Sequence, residues 1–181
     1  MNILRTMQTE RLILRPFRED NLEEFYAYAS DPEVGPKAGW KPHDSRNESW
    51  EVLQRFIRER EVWALVEKET GRLIGSIGLH QDTKRSCENI KMLGYVIGRP
   101  WWGKGYATEA AKAVLQYGFR HMRLRMVTIY HYPFNERSRR VIEKCGFSRE
   151  GILRMGSQLW NGVIYDDVCY SMTREEYFLQ E

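Results

Sequence analysis

The sequence predicts an α+β fold, and three observations support this. Two alternating segments flank the turn-forming run Glu69-Thr70-Gly71, which indicates a β-hairpin. Residues 104–119 carry small and apolar side chains at helical spacing, which predicts an amphipathic helix. From that helix onward, strand patterns alternate with helix patterns. Strands that first form hairpins and then alternate with helices are typical of mixed folds of this class.

Length and composition favour one domain over residues 1–181, because 181 residues with 42% apolar content suffice for one sizeable core. The net charge of +3 is small against 28 basic and 25 acidic residues, and the bases are not gathered in one tract. This argues against a nucleic-acid partner but suits a small polyanionic ligand. Three scattered cysteines favour a reducing, cytoplasmic location. No run has the length of a membrane span, and the first residues lack an apolar signal region, so no membrane partner is expected.

Residues that interrupt helices and strands set the bounds of the elements. Pro16 ends the first strand, Asp31-Pro32 stops the first helix, a Gly/Pro/Trp loop covers residues 35–43, and Gly146 ends a later helix. Thr173 is expected to cap a short final helix. Between these positions apolar periodicity predicts seven strands and four longer helices. The strands are 11–17, 62–67, 73–80, 90–98, 126–130, 147–155 and 163–172, and the helices are 21–30, 48–60, 104–119 and 135–145.

The chemistry is concentrated in residues 94–110, where a predicted strand runs through a glycine-rich turn into a helix. Gly103 and Gly105 remove side chains where a ligand has to approach the backbone. The start of the helix offers amide N–H groups without helical partners and the positive end of the helix dipole. Together these features predict a site for an anion such as phosphate.

The local pattern alone leaves the ligand open. Residues 98–105 match seven of the eight positions of a nucleotide-triphosphate loop, but Gly105 stands where a hydroxyl would hold Mg²⁺. A dinucleotide loop would need a third glycine in place of Thr108 and an acid about 20 positions further on. Arg123 and Arg125 lie there instead. A plain strand–helix turn is the third alternative.

Five motifs follow one another along the chain. They are Thr9-Glu-Arg-Leu-Ile-Leu-Arg-Pro-Phe17, Asp31-Pro-Glu-Val34, Trp102-Gly-Lys-Gly-Tyr-Ala-Thr-Glu-Ala110, Asn135-x-x-Ser138 with Glu143-Lys-x-Gly-Phe147, and Glu150-Gly151 with Asp167-x-x-Tyr170. In this combination the chain resembles the GNAT superfamily of N-acetyltransferases, in the subgroup of ribosomal-protein alanine N-acetyltransferases and their relatives. The family's pyrophosphate motif usually reads Q/R-x-x-G-x-G/A. Trp102 departs from its first position, as is common in the subgroup.

The resemblance implies the GNAT fold: a strongly twisted mixed β-sheet of six to seven strands, with helices on both faces and a V-shaped splay between the fourth and fifth strands. It implies an acyltransferase that moves acetyl from acetyl-CoA, the co-substrate, to a primary amine by direct transfer in a ternary complex. The amine belongs to a protein N-terminus or to a small molecule. No metal is expected, and the chain is expected to be a monomer or a homodimer.

In the family acetyl-CoA occupies the splay. The resemblance therefore assigns the open edge of strand 90–98 to pantetheine, with a backbone N–H near Val96 or Ile97 polarising the thioester carbonyl. The glycine turn holds the pyrophosphate through backbone N–H groups, and Lys104 either contacts a phosphate or lies in water. The implied cofactor-binding residues are Val96, Ile97, Gly98, Trp102, Gly103, Lys104, Gly105, Tyr106, Ala107, Thr108, Asn135 and Ser138.

Ser138 is the candidate catalytic residue. It shares a helix face with Ile142 and Cys145. Many family members carry at the position of Ile142 a Tyr that protonates the leaving thiolate. The subgroup uses the serine at this place to meet the sulfur, which implies that Ser138 donates the proton. A merely structural hydroxyl is the alternative.

The sequence does not identify the general base. Met92 stands where subgroup members often have Glu, and residues 156–158 lack the Glu that some relatives carry there. The remaining candidates are Asp167, Glu150, His43 or a chain of waters. An α-amine costs about 1.4 kcal/mol to deprotonate at pH 7, whereas a lysine side chain costs about 4.6 kcal/mol. Without a strong base, an amine of low pKa is the easier acceptor.

Trp40 and His43 are the candidate substrate-binding residues. Both lie in the loop 35–43, and the resemblance places the acceptor between the first two helices and the last strands. Packing of Trp40 against its own loop and a solvated His43 are the alternative. For the whole chain, the absent family residues at Met92 and Ile142 support a non-catalytic acyl-CoA-binding or sensing protein as the alternative function. A nucleotide-binding protein is the third hypothesis.

Overall fold

The structure is a computed structural model that describes residues 4–180. The chain forms two compact units. The first unit runs to Gly78 and resumes at Tyr95–Ala110, and the second holds Leu79–Gly94 and the chain from Ala111 onwards. The prediction of one domain over residues 1–181 stays a prediction.

Eight strands and six α-helices make up the regular structure of the described residues. The strands are β1 (Met7–Gln8), β2 (Leu12–Pro16), β3 (Val62–Glu67), β4 (Leu73–Gln81), β5 (Ile90–Ile97), β6 (Met126–His131), β7 (Ser148–Gln158) and β8 (Ile164–Thr173). The helices are α1 (Leu22–Ala29), α2 (Gly35–Ala38), α3 (Arg46–Glu59), α4 (Tyr106–Arg120), α5 (Glu136–Lys144) and α6 (Arg174–Leu179). The unit boundaries fall inside β4, β5 and α4, so each of these elements contributes to both units.

The first unit is built on antiparallel strands. β2 pairs with β1 and β3, and β3 pairs with β4. The β2–β3 register puts Leu14 opposite Leu65, and both are fully buried. α1 and α3 contribute aromatic residues, and the Phe25 ring centroid lies 5.8 Å from those of both Phe17 and Phe56. Burying side chains of this size stabilises the unit by about 1.5–3 kcal/mol each.

Two glycines let β4 and β5 approach closely within the first unit. A Cβ on Gly75 would lie 2.2 Å from the carbonyl oxygen of Val96. The N–H of Gly98 donates to the carbonyl of Ile74 at 2.8 Å. These contacts fix which edge of β5 each of its peptide groups faces.

The second unit gives the sheet its mixed character. β6 pairs in parallel with β5 but antiparallel with β8, and β8 pairs with β7. The parallel register joins Ile90–Met92 to Met126–Thr128. Among the described residues, these three residue pairs are the register of β5 with β6, and β6 is paired with β8 as far as His131.

Two predictions about the elements were wrong. Over residues 4–180 the sheet has eight strands rather than six to seven, because Met7–Gln8 forms β1 opposite β2. Two residues are too few to show an alternating pattern. The predicted loop 35–43 begins with the short helix α2, where Pro36 occupies the first turn, a position that proline tolerates well. In the part of the chain that the structure describes, no helix has the length and apolar character needed to span a bilayer.

Candidate active site

The turn that follows β5 has the shape expected of an anion site. A single 3₁₀ turn, Arg99–Trp101, follows Gly98. Gly103 and Gly105 then take φ angles of 75° and 83°, in the left-handed region that favours glycine. A Cβ on Gly103 would meet no atom within 4 Å, so the backbone there is open. Helix α4 begins at Tyr106, two residues later than predicted, because a left-handed residue cannot lie inside an α-helix.

The turn exposes its backbone at residues 103–105 and buries the aromatic side chain that follows. Residues 103–105 are exposed, whereas Tyr106 is buried. The Tyr106 hydroxyl donates to the carboxylate of Glu67. This hydrogen bond lowers the pKa of Glu67 and raises the pKa of Tyr106. The hydrogen bond anchors the start of α4, whose first turn continues with the partly buried Ala107 and Thr108.

Trp102, which stands in the Gln/Arg position of the motif, is engaged by the protein itself. Its indole Nε1 donates to the carbonyl of Ile97 at 2.6 Å. The ammonium of Lys37 lies over the indole, 4.7 Å from a ring centroid. The side chain therefore ties the turn to the end of β5, a contact that explains how this position accepts tryptophan.

The backbone geometry distinguishes the predicted oxyanion donors. Successive residues of a strand direct their N–H and C=O groups to opposite edges. The N–H of Gly98 and the C=O of Val96 both face β4. Ile97 lies between them, so its N–H points to the other edge, where its C=O accepts the Trp102 indole. Of the two predicted donors, Val96 and Ile97, Ile97 is therefore the one whose N–H faces away from β4.

In the second unit, α5 presents the predicted Asn135 and Ser138. Asn135 is the N-cap, and its Oδ1 accepts the N–H of Ser138 at 3.1 Å. Ser138 is partly buried and lies on the helix face that carries the buried Ile142 and Cys145. Burial raises the pKa of Cys145 to about 11. Its thiol therefore stays protonated at neutral pH and is a poor nucleophile.

Two of the candidate bases are held in ion pairs. Asp167 is fully buried and accepts from Lys84 at 3.0 Å and from the Ser157 hydroxyl at 2.9 Å. Glu150 is bound by the guanidinium of Arg85. Both carboxylates are therefore already engaged by side chains of the protein itself.

His43, the third candidate, lies among aromatic rings of the first unit. Its ring centroid is 5.6 Å from Phe25 and 5.4 Å from Trp40, so the two predicted substrate-binding residues are in contact. Its Nδ1 lies 2.7 Å from the hydroxyl of the fully buried Ser49. Burial lowers the pKa of His43. The imidazole is therefore neutral at pH 7 and able to accept a proton.

Two residues for which the sequence predicted no role also lie at the turn. Arg11 and Glu109 form an ion pair in which two guanidinium nitrogens each lie 2.7 Å from the same carboxylate oxygen. Both residues occur within the motifs quoted above, and this could have marked them as candidates for a role at the site. The sequence does not show that those two motifs, about a hundred positions apart, contact each other.

The mixed sheet and the glycine turn that opens α4 are together the features of a GNAT-type acetyltransferase. The family model described as an acetyltransferase (GNAT) domain matches residues 11–148, and the chain belongs to this family. It is 31% identical over 173 residues to the uncharacterized N-acetyltransferase YoaA of Bacillus subtilis, across 93% of this chain and 96% of that protein. The chain is accordingly an N-acetyltransferase of the GNAT family.

Solved structures agree with this assignment. A GNAT-family acetyltransferase from Bacillus anthracis superposes with a TM-score of 0.86 at 27% identity, over 95% of this chain and 100% of that one. The ribosomal-protein-S5-alanine acetyltransferase from Vibrio fischeri shares the fold, with a TM-score of 0.77 at 19% identity over 96% and 98% of the two chains. Within residues 4–180, no three His, Cys, Asp or Glu residues are grouped so as to hold a metal ion.

Proposed function

We propose that the chain transfers the acetyl group of acetyl-CoA to a primary amine by direct attack within a ternary complex. The glycine turn is the observation that carries this proposal. It combines open backbone at Gly103, a left-handed Gly105 and a helix start, which together suit a diphosphate. The high pKa of Cys145 supports direct transfer over a covalent acetyl-cysteine route.

In the proposed reaction the amine nitrogen attacks the thioester carbon, and a C–N bond forms as the C–S bond breaks. The Ile97 N–H stabilises the negative charge that develops on the carbonyl oxygen. Ser138 gives its proton to the departing sulfur and regains one from solvent, and a base accepts the proton that the amine loses. Asn135 caps the helix that carries Ser138 and contacts the pantetheine arm.

Gly103→Ala should weaken CoA binding at least about tenfold, because the new methyl group occupies the space through which the phosphates approach the backbone. Gly71→Ala is the matched control. Gly71 has a φ of 68° in the β3–β4 turn, and a Cβ there also meets nothing within 4 Å. Both substitutions therefore carry the same backbone strain, about 1–2 kcal/mol. Calorimetric titration with CoA and thermal unfolding of each variant are the measurements.

Equal losses of affinity in the two variants would show that strain alone acts, and unchanged affinity in Gly103→Ala would contradict the proposed cofactor site. If the wild-type protein binds ATP-Mg²⁺ more tightly than CoA, the chain is a nucleotide-binding protein and the proposal fails.

We further propose His43 as the general base and a peptide α-amine, or another amine of low pKa, as the acceptor. Of the three side chains considered as the base, His43 has an imidazole that is neutral at pH 7, whereas Asp167 and Glu150 are ion-paired. A neutral imidazole is a weak base, so it suits an amine that is already partly deprotonated. The Trp40 ring beside His43 offers an apolar surface for the neighbouring carbon atoms of the substrate.

At pH 7 the rate with a peptide α-amine should exceed the rate with an N-terminally blocked lysine peptide at least tenfold, since the lysine requires about 3 kcal/mol more to deprotonate. Thiol release from acetyl-CoA with an amine panel, followed from pH 6 to 9, measures this. His43→Gln should lower kcat over the same range without changing the order of the substrates. Equal rates for the two amines would contradict the acceptor class. Tight acetyl-CoA binding without turnover of any amine would instead identify a non-catalytic binder.

A further inference from the structure

We propose that Arg11 and Glu109 are positioning residues that hold the glycine turn in its anion-binding conformation. The proposal rests on the proposed function, because it assigns the turn to the phosphates of CoA. It adds two side chains, one on the β1–β2 turn and one on α4, which act on the phosphates only by holding the residues of the turn.

Glu109 is the centre of this contact. Its Oε1 accepts the hydroxyl of Thr9 at 2.6 Å and the backbone N–H of Arg11 at 2.8 Å. Its Oε2 accepts the Arg11 guanidinium. Burial alone would raise the pKa of Glu109, but these hydrogen bonds outweigh it and leave the pKa lowered. The carboxylate is therefore ionised and saturated, and it fixes the first turn of α4 to the segment that begins β2.

Arg11 extends the contact into the turn itself. The third guanidinium nitrogen, Nη1, donates to the carbonyl of Lys104 at 2.9 Å. The guanidinium stacks on the Tyr106 ring, 4.4 Å from its centroid. Its Nη2 lies 3.4 Å from the point where a Cβ on Gly105 would sit. Arg11 thus contacts Lys104 and Tyr106, the neighbours of Gly105. It also holds a carbonyl oxygen that would repel a phosphate if it turned toward the site.

The charges of the pair cancel, so its effect on CoA is geometric. Glu109 lies in the first turn of α4, where an unbalanced carboxylate would repel a bound anion. The positive charge of Arg11, held in the ion pair, neutralises that carboxylate. If Arg11 acted instead as a cation for the phosphates, removing the negative charge of Glu109 would strengthen CoA binding. The positioning role predicts the opposite sign.

Glu109→Gln should raise the KM of acetyl-CoA and weaken CoA binding in calorimetry roughly tenfold, with kcat and the KM of the amine changed much less. Arg11→Gln should weaken binding more, because it leaves the Glu109 carboxylate unbalanced beside the phosphates. The double variant, Arg11→Gln with Glu109→Gln, should lose less CoA affinity than the sum of the two single losses, since the two residues act as one unit. Arg46→Gln is the matched control, since it removes an exposed ion pair at 2.9 Å on α3, and it should leave CoA affinity unchanged.

Tighter CoA binding by Glu109→Gln would overturn the positioning role and identify Arg11 as a phosphate ligand. Unchanged affinity in both variants, with a lower unfolding temperature, would overturn it in favour of a purely structural pair. In either outcome a wild-type protein that binds CoA leaves the proposed function standing. A wild-type protein that fails to bind CoA refutes the proposed function first.

Discussion

Ser138→Ala should lower kcat about a hundredfold while the KM of acetyl-CoA changes little, since general-acid catalysis contributes roughly 10²–10⁴ in rate. The hydroxyl is the group proposed to protonate the leaving thiolate. The substitution keeps the N-cap hydrogen bond of α5, because the Asn135 Oδ1 accepts the backbone N–H of residue 138, which alanine retains. Steady-state kinetics with acetyl-CoA and a peptide α-amine give both constants.

A matched serine elsewhere in the second unit controls for the loss of a hydroxyl. Ser148 is exposed at the start of β7, and its side chain donates to Glu176 at 3.2 Å. Ser148→Ala should therefore leave kcat unchanged. If Ser138→Ala retained kcat within about twofold, its hydroxyl would be structural and the thiolate would leave with a proton from water. A rise in the KM of acetyl-CoA with constant kcat would assign Ser138 to binding alone.

The regular elements were largely predictable because each follows from local patterns. β3 was predicted at its observed bounds, since a run of buried residues is flanked by polar turns. The cap at Thr173 was confirmed, where the side chain accepts the N–H of Glu176 as a capping box requires. β1 and α2 were missed because each is held by contacts outside its own few residues.

The sequence predicts the parts of the site that depend on backbone conformation. It does not predict the parts that depend on contacts between residues distant in the chain. A glycine at 103 or 105 predicts an open or left-handed turn from sequence alone. That the Trp102 indole faces β5 depends on the position of Ile97 in space. The pairing of Arg11 with Glu109 likewise joins residues 98 positions apart. Which acids remain available as bases depends equally on cations that the fold places beside them.

Asp167 is such an acid, and Asp167→Ala should destabilise the protein by about 3 kcal/mol. Removing one partner of a buried ion pair typically costs 3–5 kcal/mol, and the partial exposure of Lys84, 22%, puts this pair at the lower end. The site is built around the carboxylate. β7 bulges between Leu153 and Ser157, and a Cβ on Gly156 would lie 2.4 Å from the Asp167 Oδ2. The unfolding temperature should fall by about 6–12 °C.

The loss of stability in Asp167→Ala comes from the Lys84 ammonium, which is left without its carboxylate. Removing that ammonium as well should restore part of the stability. Lys84 lies over the Tyr130 ring at 4.1 Å, and a methionine there keeps the apolar contact without the charge. Asp167→Ala with Lys84→Met should therefore be more stable than Asp167→Ala alone. Glu33→Ala, which breaks an exposed ion pair with Lys37, should cost less than about 0.5 kcal/mol. A different result for Asp167→Asn would reverse the roles of the two residues. If this variant kept its unfolding temperature while kcat fell about a hundredfold, Asp167 would be the general base and His43 would not.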